Sequence, residues 1–360
     1  MTTITLEHVT KRFEQSTHEG HQTVTAVDNV SLKIPSGDVL AILGPSGCGK
    51  STLLRLVAGT LLPDSGNILY DNVLLSDVPL RERGIGMVFQ DGALMPHWEA
   101  RRSVGLFLSL RKREHEVPAR VRRISGITGI GLDQLLGRRP AQLSGGERQR
   151  VSIARALTRD LKVLLFDEPF ANLDAKLRAE ARVELKRLMH EFPVTSIYVT
   201  HDQMEAVALS HRIAIMREGR IEQAGTYQQL YRSPHNLFVA TFLGTPPINL
   251  FEGRVEMGHW QGENFGGYPI RTDLPDGSRV TAGIRAEFIH LADEGTPGVV
   301  DSVIPFFAER HQLVTVHLAG ESWSLIVPLD RRMEIGSTIR CTLDTDALLY
   351  FDGGSGARIG

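Results

Sequence analysis

Residues 44–51 read Gly-Pro-Ser-Gly-Cys-Gly-Lys-Ser, directly after the apolar run Val39 to Leu43 and directly before a helical stretch, Thr52 to Ala58. Glycines at 44, 47 and 49 let the backbone curl so that successive N–H groups point inward, and the following helix turns its positive end to the same spot. A chain with this loop is committed to a strand–loop–helix unit, and so to a sheet with helices on its faces. The loop is built to hold phosphate, largely with main chain. Its candidate nucleotide contacts are Gly44, Pro45, Ser46, Gly47, Cys48, Gly49, Lys50, Ser51 and Thr52. Lys50 would reach the β- and γ-phosphates and the Ser51 hydroxyl would ligate Mg²⁺. Cys48 reads as a small packing residue, with oxidation when nucleotide is absent as the alternative. Many nucleotide enzymes share such a loop, so it does not name the reaction.

The other strands follow the same logic. Val163 to Asp167, Ser196 to Thr200 and Ile213 to Met216 read as buried strands of a parallel sheet. Between about Glu99 and Arg139 the text becomes polar, Arg-rich and helical, an insert between strands. Its basic side chains, among them Arg101, Arg111, Arg113, Arg120 and Arg138, form either a solvated face or a docking surface for a membrane or acidic partner loops. Between Phe13 and Val30 the sequence EQSTHEGHQTVTA reads as a long polar loop. After Leu243 the run Gly-Thr-Pro-Pro breaks the pattern, and from Asn249 short alternating strands follow, such as Val314, Val316 and Leu318 and then Trp323, Leu325 and Val327. Turns at Pro275-Asp276-Gly277 and Ala319-Gly320 separate them, and the closing GGSGARIG reads as a flexible end.

Composition excludes several classes. With 360 residues the chain is long enough for two cores. Forty basic against 42 acidic side chains, with sparse aromatics in the basic insert, argue against nucleic-acid binding. Two cysteines, Cys48 and Cys341, suit a reducing compartment rather than a disulfide framework, and Cys341 falls on the apolar parity of a strand. No apolar run approaches the roughly 18 to 20 residues that span a bilayer, and the N-terminus lacks a signal pattern, so membrane association would go through a partner.

Two adjacent carboxylates end the strand at Val163. Asp167 would hold Mg²⁺, directly or through water, and Glu168 would act as general base on the attacking water. Gln90, closing Gly86-Met-Val-Phe-Gln, is an uncharged ligand able to touch both Mg²⁺ and that water, and it leads into the basic insert. His201 follows Ser196 to Thr200, where it has the reach to contact a γ-phosphate and orient Glu168, or is simply a loop residue.

Leu143-Ser-Gly-Gly-Glu-Arg-Gln-Arg150 resembles the signature motif of ABC-transporter ATPases. Ser144, Gly145 and Gly146 would leave N–H groups free at the start of the helix Glu147 to Leu157, an anion site without a lysine. The resemblance implies two ATPase domains packed head to tail, with Ser144, Gly145, Gly146, Gln149 and Asp174 of one copy completing the ATP site begun by the other. It further implies that Phe13 stacks on adenine, where core packing of a first strand is the alternative, and that Asn172-Leu173-Asp174 crosses the dimer interface, where a plain helix cap is the alternative.

The segments GPSGCGKSTLLRLVAG, GMVFQ, DEPFANLDAKLR, YVTHDQMEA, LYRSPHNLFVATFLG and AGIRAEFIHL are similar to the ATPase subunits of the maltose and glycerol-phosphate importer subfamily, over essentially the whole chain. The fold this implies is an α/β P-loop ABC ATPase domain, 1–244, with a helical subdomain at about 91–155. An all-β C-terminal domain of OB-like, TOBE-type modules follows at 245–360. It implies ATP and Mg²⁺ as ligands and hydrolysis coupled to import of a sugar or related polar solute. The implied partners are a second copy, integral membrane permease subunits and, indirectly, an extracytoplasmic solute-binding protein, at the cytoplasmic face of the cell membrane. Importers of polyamine or iron carry related tails, and a non-transport soluble ABC ATPase is the rival from another class. The stretch Asp91-Gly92, Met95 and Trp98-Glu-Ala-Arg-Arg departs from the subfamily where a membrane subunit's coupling helix would dock. Ala286 likewise replaces its usual proline.

Overall fold

A computed structural model describes residues 2–17, 20–128, 131–271, 273–318 and 320–359. The chain divides into two compact units, Met1–Tyr227 and Gln228–Gly360.

The first unit opens with β1 (Ile4–Thr17) and β2 (Gly20–Ile34), followed by β3 (Val39–Leu43), α1 (Lys50–Val57), β4 (Ser65–Tyr70), β5 (Val73–Leu74) and β6 (Ile85–Val88). The helical insert then carries α2 (Ala100–Ser109), α3 (Val117–Thr128), α4 (Leu132–Leu135) and α5 (Gly145–Leu157). The chain returns through β7 (Val163–Asp167), α6 (Ala175–Glu191), β8 (Thr195–Thr200), α7 (Gln203–Leu209), β9 (Arg212–Arg217) and β10 (Arg220–Gly225).

The central sheet has the order β10-β9-β3-β8-β7-β6 and is parallel except for the antiparallel edge strand β10. Every residue of β3 and of β8 is buried, as a strand covered on both faces must be. Parity sorts the two faces. Leu40, Ile42, Leu165, Ile197 and Val199 join Leu53, Leu54 and Val57 of α1 and the second, antiparallel sheet β2-β1-β4-β5. Leu164, Phe166 and Tyr198 face the other way, into a core shared with α2, α5 and α6. Each such side chain contributes about 1.5–3 kcal/mol by leaving water.

The stretch expected to be a polar loop after Phe13 is instead a long antiparallel hairpin, with Phe13 opposite Val24 and Thr17 opposite Gly20. Thr23, Val24 and Thr25 are strand formers, and pairing satisfies their backbone groups without needing an apolar face. His18 and Glu19 lie outside the described residues.

At the end of the first unit, α8 (Tyr227–Arg232) leads into α9 (Leu237–Phe242), β11 (Asn249–Glu256), β12 (His259–Gly262), β13 (Gly266–Pro269), β14 (Arg279–Ile284) and β15 (Ile289–Phe306). The chain finishes with β16 (His311–Leu318), β17 (Glu321–Pro328), β18 (Thr338–Leu343), β19 (Leu349–Asp352) and β20 (Arg358–Ile359). Two sheets, β13-β12-β11-β14-β19-β20 and β17-β16-β15-β18, close on one core in which Phe251, Phe265 and Trp323 pack together. Cys341 is buried there. The turn expected at Ala319-Gly320 includes Ala319, which lies outside the described residues. Residues 228–243 belong to this unit rather than to the ATPase segment: the Leu237 N–H donates to the Gly356 carbonyl and Asn236 bridges to Ala357. The end expected to be flexible is ordered up to Ile359, because Asp352 accepts from Ser355 and β20 pairs with β19. Among the described residues no helix is long and apolar enough to cross a membrane.

Candidate functional site

The phosphate loop leaves β3 at Leu43 and enters α1 at Lys50. A side chain at Gly44 would bring its Cβ to 2.1 Å from the Met216 carbonyl, and one at Gly49, where φ is 107°, to 2.0 Å from the Ala26 carbonyl. The curl therefore demands glycine at both positions. Gly49 caps α1 with no side-chain hydrogen bond, and no acidic residue stands in the first turn, so the positive helix end faces the loop uncompensated. Lys50 is buried, and its Nζ donates to the Gly44 and Pro45 carbonyls at 2.8 and 2.9 Å. Two bonds aim the ammonium across the mouth of the loop and leave its third donor for a ligand. Pro45, Ser46 and Gly47 form the exposed rim. Cys48 is tucked beneath it, where burial pushes the thiol up despite the nearby Lys50. Its place in the core with Leu53 and Leu54 suits a packing residue.

The ends of β3, β7 and β8 lie side by side, with Leu43 opposite Thr200 and Asp167 opposite Val199. This register brings the chemistry together. Ser51 Oγ donates to Asp167 Oδ1 at 2.8 Å, so a hydroxyl and a carboxylate already converge beside the loop. Such an all-oxygen pair suits Mg²⁺, which prefers one or two protein oxygens with phosphate and water. Glu168 adopts φ 43°, a conformation that costs a non-glycine residue free energy, and its N–H is tied to the Val199 carbonyl at 3.0 Å. Glu168 Oε2 lies 3.1 Å from Nδ1 of the half-exposed His201. Gln90, two residues beyond β6, is exposed and forms no hydrogen bond with Ser51 or Asp167 among the described residues.

The segment after Gln90 is clasped to α5. Ser152 Oγ donates to the Gly92 carbonyl at 2.9 Å, and the Arg155 guanidinium reaches the carbonyls of Gly92 and Ala93. The same helix carries the signature residues at its other end. Ser144 caps it through a reciprocal pair: Ser144 Oγ accepts from the Glu147 N–H, and Glu147 Oε2 accepts from the Ser144 N–H. That backbone bond holds the Glu147 carboxyl below its ordinary range. Gly145 and Gly146 are helical with room for a methyl: an added Cβ meets nothing nearer than Leu173 at 3.5 Å and Leu177 at 3.9 Å. The chain's own fold does not require glycine there. No hydrogen bond or ion pair among the described residues joins Ser144 to Gly146 with the 44–52 loop.

Other expected residues are placed as follows. Gln149 turns inward, 5% exposed, with its Nε2 unpartnered beside Ile153, Phe170 and Leu177, so its side chain is enclosed rather than presented on the surface. Asp174 is exposed and caps α6 through the Leu177 N–H at 2.9 Å. Asn172 Nδ2 donates to Asp91 Oδ1 at 3.3 Å, linking the loop after Glu168 to the one after Gln90. Phe13 is 39% exposed with Lys11 Nζ over its ring, which leaves a flat aromatic surface available rather than a core side chain. Part of the basic insert is paired: Arg113 and Arg120 share Glu116 and Asp160, and Arg111 also reaches Asp160.

Sequence reasoning missed two features. One is a groove of about 1160 Å³ between the β6 end and α2, floored by Met87, Phe89 and Leu106, edged by the exposed Leu80 and Leu110 and rimmed by arginines such as Arg81 and Arg111. The other is a buried polar trio, Tyr198, Thr200 and Glu205. The sequence signal covers only Tyr198 and Thr200, polar groups inside an apolar strand, and not Glu205 on α7.

A phosphate loop on a parallel sheet, with an acidic pair at the end of the next strand but one, defines a P-loop nucleotide-binding protein. The model of the ABC transporter family matches residues 27–171. The chain is 39% identical over 369 residues to the xylose/arabinose import ATP-binding protein XacK of Haloferax volcanii, covering 99% of this chain and 95% of that one. It is 40% identical over 356 residues to the sn-glycerol-3-phosphate import ATP-binding protein UgpC of Roseobacter denitrificans, covering 93% and 95%. Among solved structures, the dimeric structure of MJ0796, a bacterial ABC transporter cassette, aligns with a TM-score of 0.55 at 32% identity, over 62% of this chain and 98% of that one. The same cassette has been solved in a post-hydrolysis state with ADP and Pi, at a TM-score of 0.54 and 31% identity over the same shares. The chain belongs to the ABC transporter ATP-binding family, as an ABC-type ATPase domain followed by a unit built on two β-sheets.

Proposed function

We propose that this chain powers solute import by hydrolysing ATP between two head-to-tail copies of itself. The observation that carries the reading is the convergence at the strand ends, where Glu168, held by His201, stands beside the Ser51 and Asp167 pair. Lys50 and the loop N–H groups bind the phosphates, and the exposed ring of Phe13 offers a stacking surface for adenine. Ser51, Asp167 and Gln90 would hold Mg²⁺, which neutralises charge on the phosphate oxygens when bound. Glu168 takes the proton of the attacking water, and His201 fixes the orientation of that carboxylate. Ser144, Gly145 and Gly146 of the second copy complete the phosphate cage. Asp174, beside Asn172, and Gln149 on the signature helix belong to the same completing set. The glycines that the fold does not need support this two-copy site.

The groove beside α2 suits a cytoplasmic helix of a membrane permease, with an apolar floor for its buried face and arginines for its charges. Because Ser152 and Arg155 tie the segment after Gln90 to the signature helix, docking there and closure of the ATP site move together. The chain thus works at the cytoplasmic face of a membrane, served indirectly by an extracytoplasmic solute-binding protein. The import names of XacK and UgpC support a sugar or related polar solute as cargo. Residues 228–360, with the OB-like part from 245, would steady the pair, leaving 1–227 as the ATPase with its helical subdomain at about 91–155. Glu168→Gln tests the chemistry: ATP binding should persist while turnover falls by on the order of 100-fold or more. Near-normal hydrolysis by that variant would remove Glu168 as the base.

A further inference from the structure

His201 stands on a turn with little covering: its side chain is 56% exposed, yet it must hold Glu168 in place. What holds the turn itself is buried beneath it. Glu205, 3% exposed, accepts at a single oxygen, Oε2, from the Tyr198 hydroxyl and from Thr200 Oγ1, each at 2.8 Å. Thr200 Oγ1 in turn accepts from the Asp202 N–H at 3.0 Å. Asp202 Oδ1 accepts from the N–H groups of Met204 and Glu205 and so caps α7. The residues on both sides of His201 are therefore tied to one buried carboxylate. The Tyr198 ring sits near Phe166 and Phe170, at 5.5 and 6.4 Å between centroids, and these flank the strand end bearing Asp167 and Glu168.

We infer that Glu205 is a positioning residue for hydrolysis: it clamps the end of β8 to the start of α7 and thereby sets His201 against Glu168. The inference rests on the reading of Glu168 and His201 as the catalytic pair. The clamp touches neither the 44–52 loop nor Lys50 in any hydrogen bond among the described residues, so its loss should reach turnover and spare nucleotide affinity.

The test compares the full-length chain with Glu205→Ala, Glu205→Gln, Thr200→Val, His201→Ala and the double variant His201→Ala/Glu205→Ala, measuring ATP affinity, KM and kcat. Glu205→Ala and Thr200→Val should lower kcat roughly 10- to 100-fold, the scale of a small misplacement at a reacting centre, with ATP affinity unchanged. Glu205→Gln keeps an acceptor for both hydroxyls and should restore most of the rate. Because Glu205 acts through His201, the double variant should be no slower than His201→Ala alone. Thr200→Val leaves the carboxylate and the Tyr198 bond in place, so it keeps the test decisive if Glu205→Ala does not fold. An impaired His201→Ala beside full-rate Glu205→Ala or Thr200→Val overturns the inference alone, as does an additive double variant. Full turnover by His201→Ala overturns the catalytic reading and the inference with it.

Discussion

Replacing Gly145 and Gly146 together by alanine separates what the fold needs from what a second copy needs. Neither glycine has positive φ, and the added methyl groups would meet Leu173 at 3.5 Å and Leu177 at 3.9 Å, ordinary van der Waals contact. Removing a glycine from a helix by an unstrained alanine stabilises by about 0.4–1 kcal/mol, mostly by restricting the unfolded chain. As neighbours in one turn the two will not add fully, so about 1 kcal/mol is expected, which raises Tm by about 2–4 °C for a unit of this size. Activity should move the other way. A phosphate brought by the opposite copy approaches the N–H groups of this turn, and methyl groups there obstruct it. Losing one charge-assisted hydrogen bond costs about 1.5–3 kcal/mol, or roughly 10- to 150-fold in rate. Scanning calorimetry and a coupled ATPase assay read the two effects on one sample. Full turnover with the raised Tm would show that nothing approaches these glycines, and a lowered Tm would show that the fold needed them. Gly49→Ala is the contrast, since its Cβ falls 2.0 Å from the Ala26 carbonyl and should damage fold and activity alike.

Two further outcomes follow from the insert. Leu110 is 72% exposed at the edge of the α2 groove, so Leu110→Asp should leave the ATPase folded and active in solution while abolishing recovery with permease subunits from membranes; unchanged recovery would place the permease elsewhere. Glu116 is held down to about 2 by hydrogen bonds from Arg113 and then Arg120. A folded value below the unfolded one means stabilisation that is complete above the ordinary glutamate range and is lost as pH falls toward 2. Urea midpoints should therefore fall more steeply between pH 5 and 2.5 in the wild type than in Glu116→Gln, and equal slopes would contradict the pairing.

The legible parts of this structure were those in which local sequence already contained the cause. β3 was readable from Val39 to Leu43 because a strand covered on both faces is apolar at every position, and the phosphate loop because its glycines answer to backbone geometry alone. The β1–β2 hairpin was not readable, because its outer half pairs through main chain and carries polar side chains. Arg358–Ile359 joins a sheet through a partner strand set by tertiary folding, and Leu237 is tied to Gly356 across the second unit. At the site, Ser51, Asp167, Glu168 and His201 were nameable from motifs, and the structure adds that they meet. Glu205 was not nameable, since a buried carboxylate gains its meaning only from the two hydroxyls that donate to it.

The central claim is that the phosphate loop of one copy faces the signature turn of another. Ser46 and Ser144 are both exposed, and the native Cys48 and Cys341 are both buried, so cysteines placed at 46 in one chain and at 144 in a second can be cross-linked selectively. In the Glu168→Gln background, a short bifunctional thiol reagent should join the two chains into a covalent pair when ATP and Mg²⁺ are present, and far less with ADP or without nucleotide. Chains that bind ATP in that background yet never form the 46-to-144 cross-link would contradict the composite site.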